Sequence, residues 1–257
     1  MSLISQKQCY HKNLKQRRLL LIYRLNAASF NSMTTEEIIK ICINYEIDYY
    51  TINDDQTINV EDDVNLSGRE LNSIPLKFKT VYGNFRCDNN QLKSLDGCPD
   101  IVHGSFYCHN NQLTTLEGSP TKVKEAYLCN NNKLNSLKHC PKYVGNIFNC
   151  SNNFLTSLKY CPDEIQDNFS CSHNKLKSLM FCTKNIAGTF DCSHNNITTL
   201  RGCPKVVFWN FDCSNNKLKT YNFYPKIEFK NNFYDFSTEE LKLFKRRKSL
   251  AEILYQE

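Results

Sequence analysis

Apolar residues return along this chain on a fixed cycle of 21 residues. One column holds Phe85, Phe106, Tyr127, Phe148, Phe169, Phe190 and Phe211; two residues on stand Cys87, Cys108, Cys129, Cys150, Cys171, Cys192 and Cys213. Within a cycle, Phe106 and Cys108 alternate with Ser105, Tyr107 and His109, the period of two that marks a short strand with one face inward. Leu113 and Leu116 follow five and eight residues past the cysteine, and a wall column (Val81, Val102, Val123, Val144, Ile165, Ile186, Val207) precedes each strand. A repeat of this length predicts the coils of a solenoid, each burying its apolar face only by stacking on its neighbours. Successive coils then lie about 4.8 Å apart, so every column becomes an internal row.

Polar positions keep the same beat. Asn90, Asn111, Asn132, Asn153, Asn174, Asn195 and Asn216 sit where the chain turns inward after the strand. An amide side chain both donates and accepts, so this column is expected to satisfy backbone groups that would otherwise be buried at a cost of about 1–3 kcal/mol each. Ser or Thr two residues after the leucine (Ser94, Thr115, Ser136, Ser157, Ser178, Thr199, Thr220) is expected to bond local backbone on the opposite side. A second cysteine column, Cys98, Cys140, Cys161, Cys182 and Cys203, has Ser119 in one place.

The pattern L-x-L-x-x-N-x-L-x-x-L, with Phe and Cys in the first two apolar sites, resembles a leucine-rich repeat over residues 58–236. The convex segment is similar to the compact repeats of bacterial secreted effectors. The Cys- and Asn-rich wording resembles repeat proteins of large DNA viruses and phages. The fold class implied is an α/β repeat: a leucine-rich-repeat solenoid with one short parallel strand per coil, a mostly irregular convex side and helical caps at both ends. Bacterial effectors of this kind often carry a catalytic domain after the repeats; the short segment following the array here leads us to expect none.

Four segments are expected: a basic, flexible leader over 1–33, with Met33 as an alternative start; a helical cap over 34–57; the solenoid over 58–236; and a capping helix over 237–257. Thr34 and Glu37 form one capping box and Ser237 and Glu240 the other. Ile38, Ile41, Cys42 and Tyr45 give the first helix an apolar face; Leu241, Phe244 and Leu250 do so for the second. Leu66, Leu71 and Ile74 keep the register of a degenerate first repeat, with Arg69 in the asparagine slot, while "IEFKNNF" reads as a shortened last one.

The net charge of +6 invites a nucleic-acid reading, but its location removes most of it. Lys7, Lys12, Lys15, Arg17, Arg18 and Arg24 supply +6 within the leader, leaving 32 − 6 = 26 basic against 26 acidic residues elsewhere. Nucleic acid is therefore expected only through the leader. No apolar run spans a bilayer, and "LLLIY" lacks the length and cleavage site of a signal peptide. The 14 cysteines are accordingly read as core thiols in a reducing, cytoplasmic compartment: host cytoplasm or virion if the protein is viral. Their 11-residue spacing within a cycle is not that of zinc ligands, and His173 and His194 alone make an incomplete site. No nucleophile or phosphate-loop motif is present. The expectation is thus no enzyme, no metal and no cofactor.

What the repeat leaves free is the outward strand surface, the concave face. Tyr107, Ala126, Leu128 and Ile147, flanked by His109 and Arg86, form an expected apolar patch, with Asp191 and Asp212 further along and Trp209 as a second anchor or cap contact. These observations predict a monomeric module that binds a partner protein on the concave face without catalysis; the alternative is a structural component of a larger assembly such as a virus particle.

Overall fold

The computed structural model describes residues 33–220 and 222–227. Most of the leader, the shortened last repeat beyond Ile227 and the expected closing helix lie outside the described residues. Helix α1 (Thr35–Tyr45) opens the array; the Thr34 side chain accepts from the Glu37 amide while Glu37 reaches back to the Thr34 amide, and Ile38, Ile41, Cys42 and Tyr45 are buried. An antiparallel pair, β1 (Tyr50–Ile52) and β2 (Ile58–Val60), follows and presents its edge to the first coil.

From there the chain winds as a parallel solenoid. Face strands β3 (Val64–Asn65), β5 (Phe85–Arg86), β7 (Phe106–Tyr107), β9 (Tyr127–Leu128), β11 (Phe148–Asn149), β13 (Phe169–Ser170), β15 (Phe190–Asp191) and β17 (Phe211–Asp212) form one 8-stranded sheet. Register is direct: Phe106 faces Tyr127 and Tyr107 faces Leu128 across neighbouring coils. The strand expected in each coil is there, and the valine column adds another. It carries wall strands β4 (Phe78–Val81), β6 (Ile101–Val102), β8 (Lys122–Val123), β10 (Tyr143–Val144), β12 (Glu164–Ile165), β14 (Asn185–Ile186), β16 (Val206–Val207) and β18 (Lys226–Ile227). The wall sheet, which β1 and β2 extend at its N-terminal edge, is interrupted between β12 and β14, splitting into groups of 7 and 3 strands with those two counted, whereas the face sheet is continuous.

Between the sheets the predicted rows are realised. The aromatic spine stacks at 5.7, 5.4, 5.9, 5.3, 5.2 and 5.5 Å between centroids from Phe85 to Phe211. Its one phenol also explains the gap in the second cysteine column: the Tyr127 hydroxyl lies 2.8 Å from the Ser119 hydroxyl. A buried phenol requires a polar partner, and the coil below supplies serine where its equivalents carry cysteine.

Each interior asparagine ties two coils together. Asn132 donates to the carbonyl of Cys108 in the coil before (3.0 Å) and to those of Cys129 and Asn130 in its own turn. Its Oδ1 accepts from the Leu113 amide at 2.9 Å. Asn111, Asn153, Asn174 and Asn195 repeat the pattern. The preceding residue has a different task. Asn89, Asn110, Asn131, Asn152, His173, His194 and Asn215 all hold φ between 50° and 55°, a left-handed turn for which Asn and His are among the better side chains. On the convex side, Ser94, Thr115, Ser136, Ser157 and Thr199 accept from the amide two residues on, as the pattern predicts.

Thiols of both columns are packed inside the coils, Cys182 and Cys203 less deeply than the rest, and none of the 13 described cysteines is in a disulfide. Burial pushes Cys161 up to about 12, and Cys129, Cys150 and Cys192 well above the ordinary thiol range. Among the described residues no group of three or more His, Cys, Asp or Glu is placed to hold a metal ion. No described helix is long and apolar enough to cross a membrane.

Candidate functional site

The face sheet fixes where the outward side chains go, because alternation along each strand turns Phe and Cys inward and their neighbours out. Tyr107, Leu128 and Ile147 come from three successive coils and are half-buried; Ala126 is buried and forms floor rather than contact surface. Parallel register stacks Tyr107 on Leu128, whereas Leu128 pairs with Asn149 and Ile147 stands in the neighbouring outward column, in line with Ala126. Together they make an apolar strip two columns wide, with each side chain half-buried.

At the strip's N-terminal end lies a polar cluster that sequence reading only half saw. Arg86 is exposed, and its guanidinium sits 5.1 Å from the Tyr107 ring centroid and 3.3 Å from Asp88. Asp88 itself is fully buried and accepts from Ser67 at 2.7 Å and from Asn89 at 2.6 Å. The His109 Nε2 lies 3.7 Å from the same carboxylate, and its ring meets Tyr107 edge-on. Burial alone would raise the Asp88 carboxyl, but the Ser67 and Arg86 hydrogen bonds and the nearby His109 and Arg86 charges outweigh it and leave it below its ordinary value. His109 is lowered, chiefly by burial and further by Arg86, against the opposing pull of Asp88. Asp88 was recoverable from the sequence: its column otherwise reads His109, Asn130, Ser151, Ser172, Ser193 and Ser214, and it alone is acidic.

At the other end, Asp191 and Asp212 stack as paired neighbours, half-buried rather than freely displayed. Asp191 accepts from the Ser193 amide and hydroxyl and from Ser170; Asp212 accepts from the Ser214 amide. Part of their hydrogen-bonding capacity is therefore spent on holding the turn that follows. Trp209 is exposed at the rim. His173 and His194 are exposed and stacked 4.1 Å apart on the left-handed turns, away from the strip.

Comparison with known proteins adds little to this geometry. No family model matches the chain. No curated protein matches it either. Among solved structures it is similar to YopM from Yersinia enterocolitica WA-314, at 17% identity and a TM-score of 0.39. That match covers 82% of this chain and 56% of the other. The fold assignment therefore rests on the register, the two ladders of short strands and the interior asparagines described above.

One further feature lies outside the concave face. At the break in the wall sheet, a groove of about 620 Å³ is lined by Pro162, Ile165, Phe181, Ala187 and Phe208, among others. Phe181 there is exposed and holds a φ of 71°.

Proposed function

We propose that the protein is a non-catalytic recognition module that binds a partner protein on the concave strand face, working as a monomer in a reducing compartment. The observation that carries this reading is the strip of Tyr107, Leu128 and Ile147 on the one surface the repeat does not dictate, set between the Arg86–Asp88 cluster and the Asp191–Asp212 pair. Apolar side chains ringed by polar groups are the usual anatomy of an interface core and rim. Solenoids offer such surfaces as a continuous curve, so that one partner can touch several coils. The free thiols are in keeping with a reducing setting.

Affinity capture from host lysate, comparing wild type with the Tyr107→Asp, Leu128→Asp double variant, tests the proposal. Both side chains point outward, so the variant is expected to fold. A protein held by wild type and released by the variant supports the reading, and equal retention by both defeats it. The competing reading is an assembly component, such as a virion protein, supported by the likeness of the Cys- and Asn-rich wording to viral repeat proteins. It predicts that the chain sediments with particles and that neither bait holds a specific partner.

A further inference from the structure

The even balance of basic and acidic residues outside the leader conceals a segregation. After each face strand the chain turns and runs around the side of the coil, and burial alternates along it. Side chains two, four and six residues past the strand's cysteine lie outward, while the asparagine and leucine between them point in. These outward positions are stacked coil on coil by backbone bonds: the Lys175 amide donates to the Leu155 carbonyl of the coil before at 2.8 Å, and the same bond recurs from Gln91 to Lys217. Over the coils of Cys87 to Cys213 the three columns carry Lys93, Lys133, Lys175, Lys177, Lys217 and Lys219, and not one Asp or Glu. All six lysines are exposed, and none forms an ion pair among the described residues. Asp191 and Asp212, the acids nearest His194 and Lys217 in sequence, lie on the face strands and accept from Ser193 and Ser214.

Aromatic surface is interleaved with this charge. In the column two past the cysteine, His173 and His194 are exposed and stack at 4.1 Å with their rings 15° from parallel. The His194 ring is held in place: its Nδ1 lies 3.2 Å from the Ser193 hydroxyl, whose own proton goes to Asp191 at 2.7 Å. The ring N–H is therefore the donor, and Nε2 is left as an acceptor. In the next column Phe154 is 48% exposed, with the Lys175 ammonium 4.6 Å from its ring centroid. Its sister coils place Lys, Gln or Asn there, so this ring takes no part in the core.

We infer that this side of the solenoid binds single-stranded nucleic acid, its phosphates meeting the lysines and its bases stacking on Phe154 and on the His173–His194 pair. Side chains two residues apart on an extended chain are separated by roughly 7 Å, and two coils by roughly 10 Å. Lys175, Lys177, Lys217 and Lys219 thus mark out a patch small enough for one strand to touch all four. Like side chains repeated at the pitch of the coils suit a ligand that repeats as well, which makes the occupant a linear polyanion. The aromatic members choose among polyanions, because nucleobases stack on such rings while polyphosphate, sulfated glycans and carboxylate side chains do not. The Asn and Thr side chains that fill the remaining outward positions hydrogen-bond to base edges and sugars. A duplex offers no free base faces and fits less well. This face is separate from the concave strip, so the inference stands whether or not the strip holds a protein. It extends to the solenoid an expectation that charge counting confined to the leader.

The test is fluorescence anisotropy on the whole chain with labelled RNA and DNA oligonucleotides of about 12 nucleotides and mixed sequence, at about 50 and 200 mM salt. The leader is basic too, so two full-length variants separate the surfaces. One carries Lys175→Gln, Lys177→Gln, Lys217→Gln and Lys219→Gln; the other carries Lys12→Gln, Lys15→Gln, Arg17→Gln and Arg18→Gln. We expect the solenoid variant to bind at least about tenfold more weakly at the lower salt, and its slope of log affinity against log salt to be shallower by about 3, the loss of four contacts at roughly 0.7 each. Its lysines are exposed, so it should melt with wild type; the Lys177→Gln, Lys219→Gln pair repeats the measurement should it melt lower. Unchanged affinity in the solenoid variant overturns the inference, whatever the leader variant does. Phe154→Ala should weaken oligonucleotide binding severalfold and leave the binding of inorganic polyphosphate as it was; no effect on either shows a charge-only surface and overturns the inference. A duplex of the same sequence should bind severalfold more weakly than the single strand, and equal or tighter binding overturns the inference. So does a protein that holds phosphatidylserine vesicles or polyglutamate but neither oligonucleotide. A preference for RNA, for DNA or for neither supports it and says which sugar the side chains meet.

Discussion

Two columns of polar side chains run the length of this molecule, one inside and one at the rim, and they are kept with different strictness. The interior asparagines make the same bonds from Asn90 to Asn216 without exception. The rim ladder, in which a side chain accepts from the amide at the same position of the next coil, is built from Asp63, Asn84, Ser105 and Asn168 and lapses at Ala126, Ile147 and Thr189. Water explains the contrast. An interior amide that loses its partner is left buried and unsatisfied, while a rim amide lies closer to solvent, so the rim is where sequence can depart from the repeat at tolerable cost.

The comparison is broken most severely by removing an interior member. Asn132→Ala deletes four hydrogen bonds and should cost about 3–5 kcal/mol, read as a lower midpoint in urea unfolding; the rim change Asn168→Ala should cost about 1 kcal/mol or less. If the two cost the same, the distinction is false. The phenol–hydroxyl pair comes next. Ser119→Cys alone strands the Tyr127 hydroxyl and should cost about 1–2 kcal/mol, whereas adding Tyr127→Phe should recover most of it, a coupling that a double-mutant cycle measures.

A milder perturbation is alkaline pH. The folded state holds the interior thiols above their ordinary value of 9.0, with Cys161 at about 12, so folding favours the protonated form. Their stabilisation is complete below the unfolded value, and stability should fall as pH rises past 9 and the unfolded thiols ionise. Unfolding curves collected from pH 7 to 11 should show it; a flat profile above 9 would mean that the thiols are not buried as described. Smallest is a gain. Tyr160 and Phe181 hold φ of 72° and 71° where sister coils place Gly97, Gly118 and Gly202, so Phe181→Gly should stabilise by up to about 1 kcal/mol. Thermal melting resolves that sign.

Sequence alone made the repeat, its inward columns and the first helix cap legible, because each depends on period and side-chain class. The asparagine ladder was legible for the same reason, down to which amide position turns inward. Less visible were relations between coils. The valine column reads as a buried wall, and only the stacking shows that it pairs as a second sheet. Ser119 appears in sequence as an omission; its meaning lies with a phenol in the next coil. At the site, Tyr107 and Leu128 were identifiable from alternation, but the depth of Ala126 and the burial of Asp88 depend on neighbours 21 residues away.

The interruption of the wall sheet between β12 and β14 has a mechanical meaning. Elsewhere two ladders clamp each coil to the next; across this seam the wall ladder is missing, and the face ladder, the interior asparagines and a few single bonds, such as Thr189 to Asn168 and Thr183 to Asp163, hold the coils. Pulled from its ends, the solenoid should part there first, yielding two stiff blocks before either unwinds. Each coil released afterwards frees 21 residues, roughly 70 Å of extended chain, so a force–extension trace should open with one low-force rupture and continue in even steps. The molecule is thus a spring with a built-in weak link, placed by the loss of one short ladder.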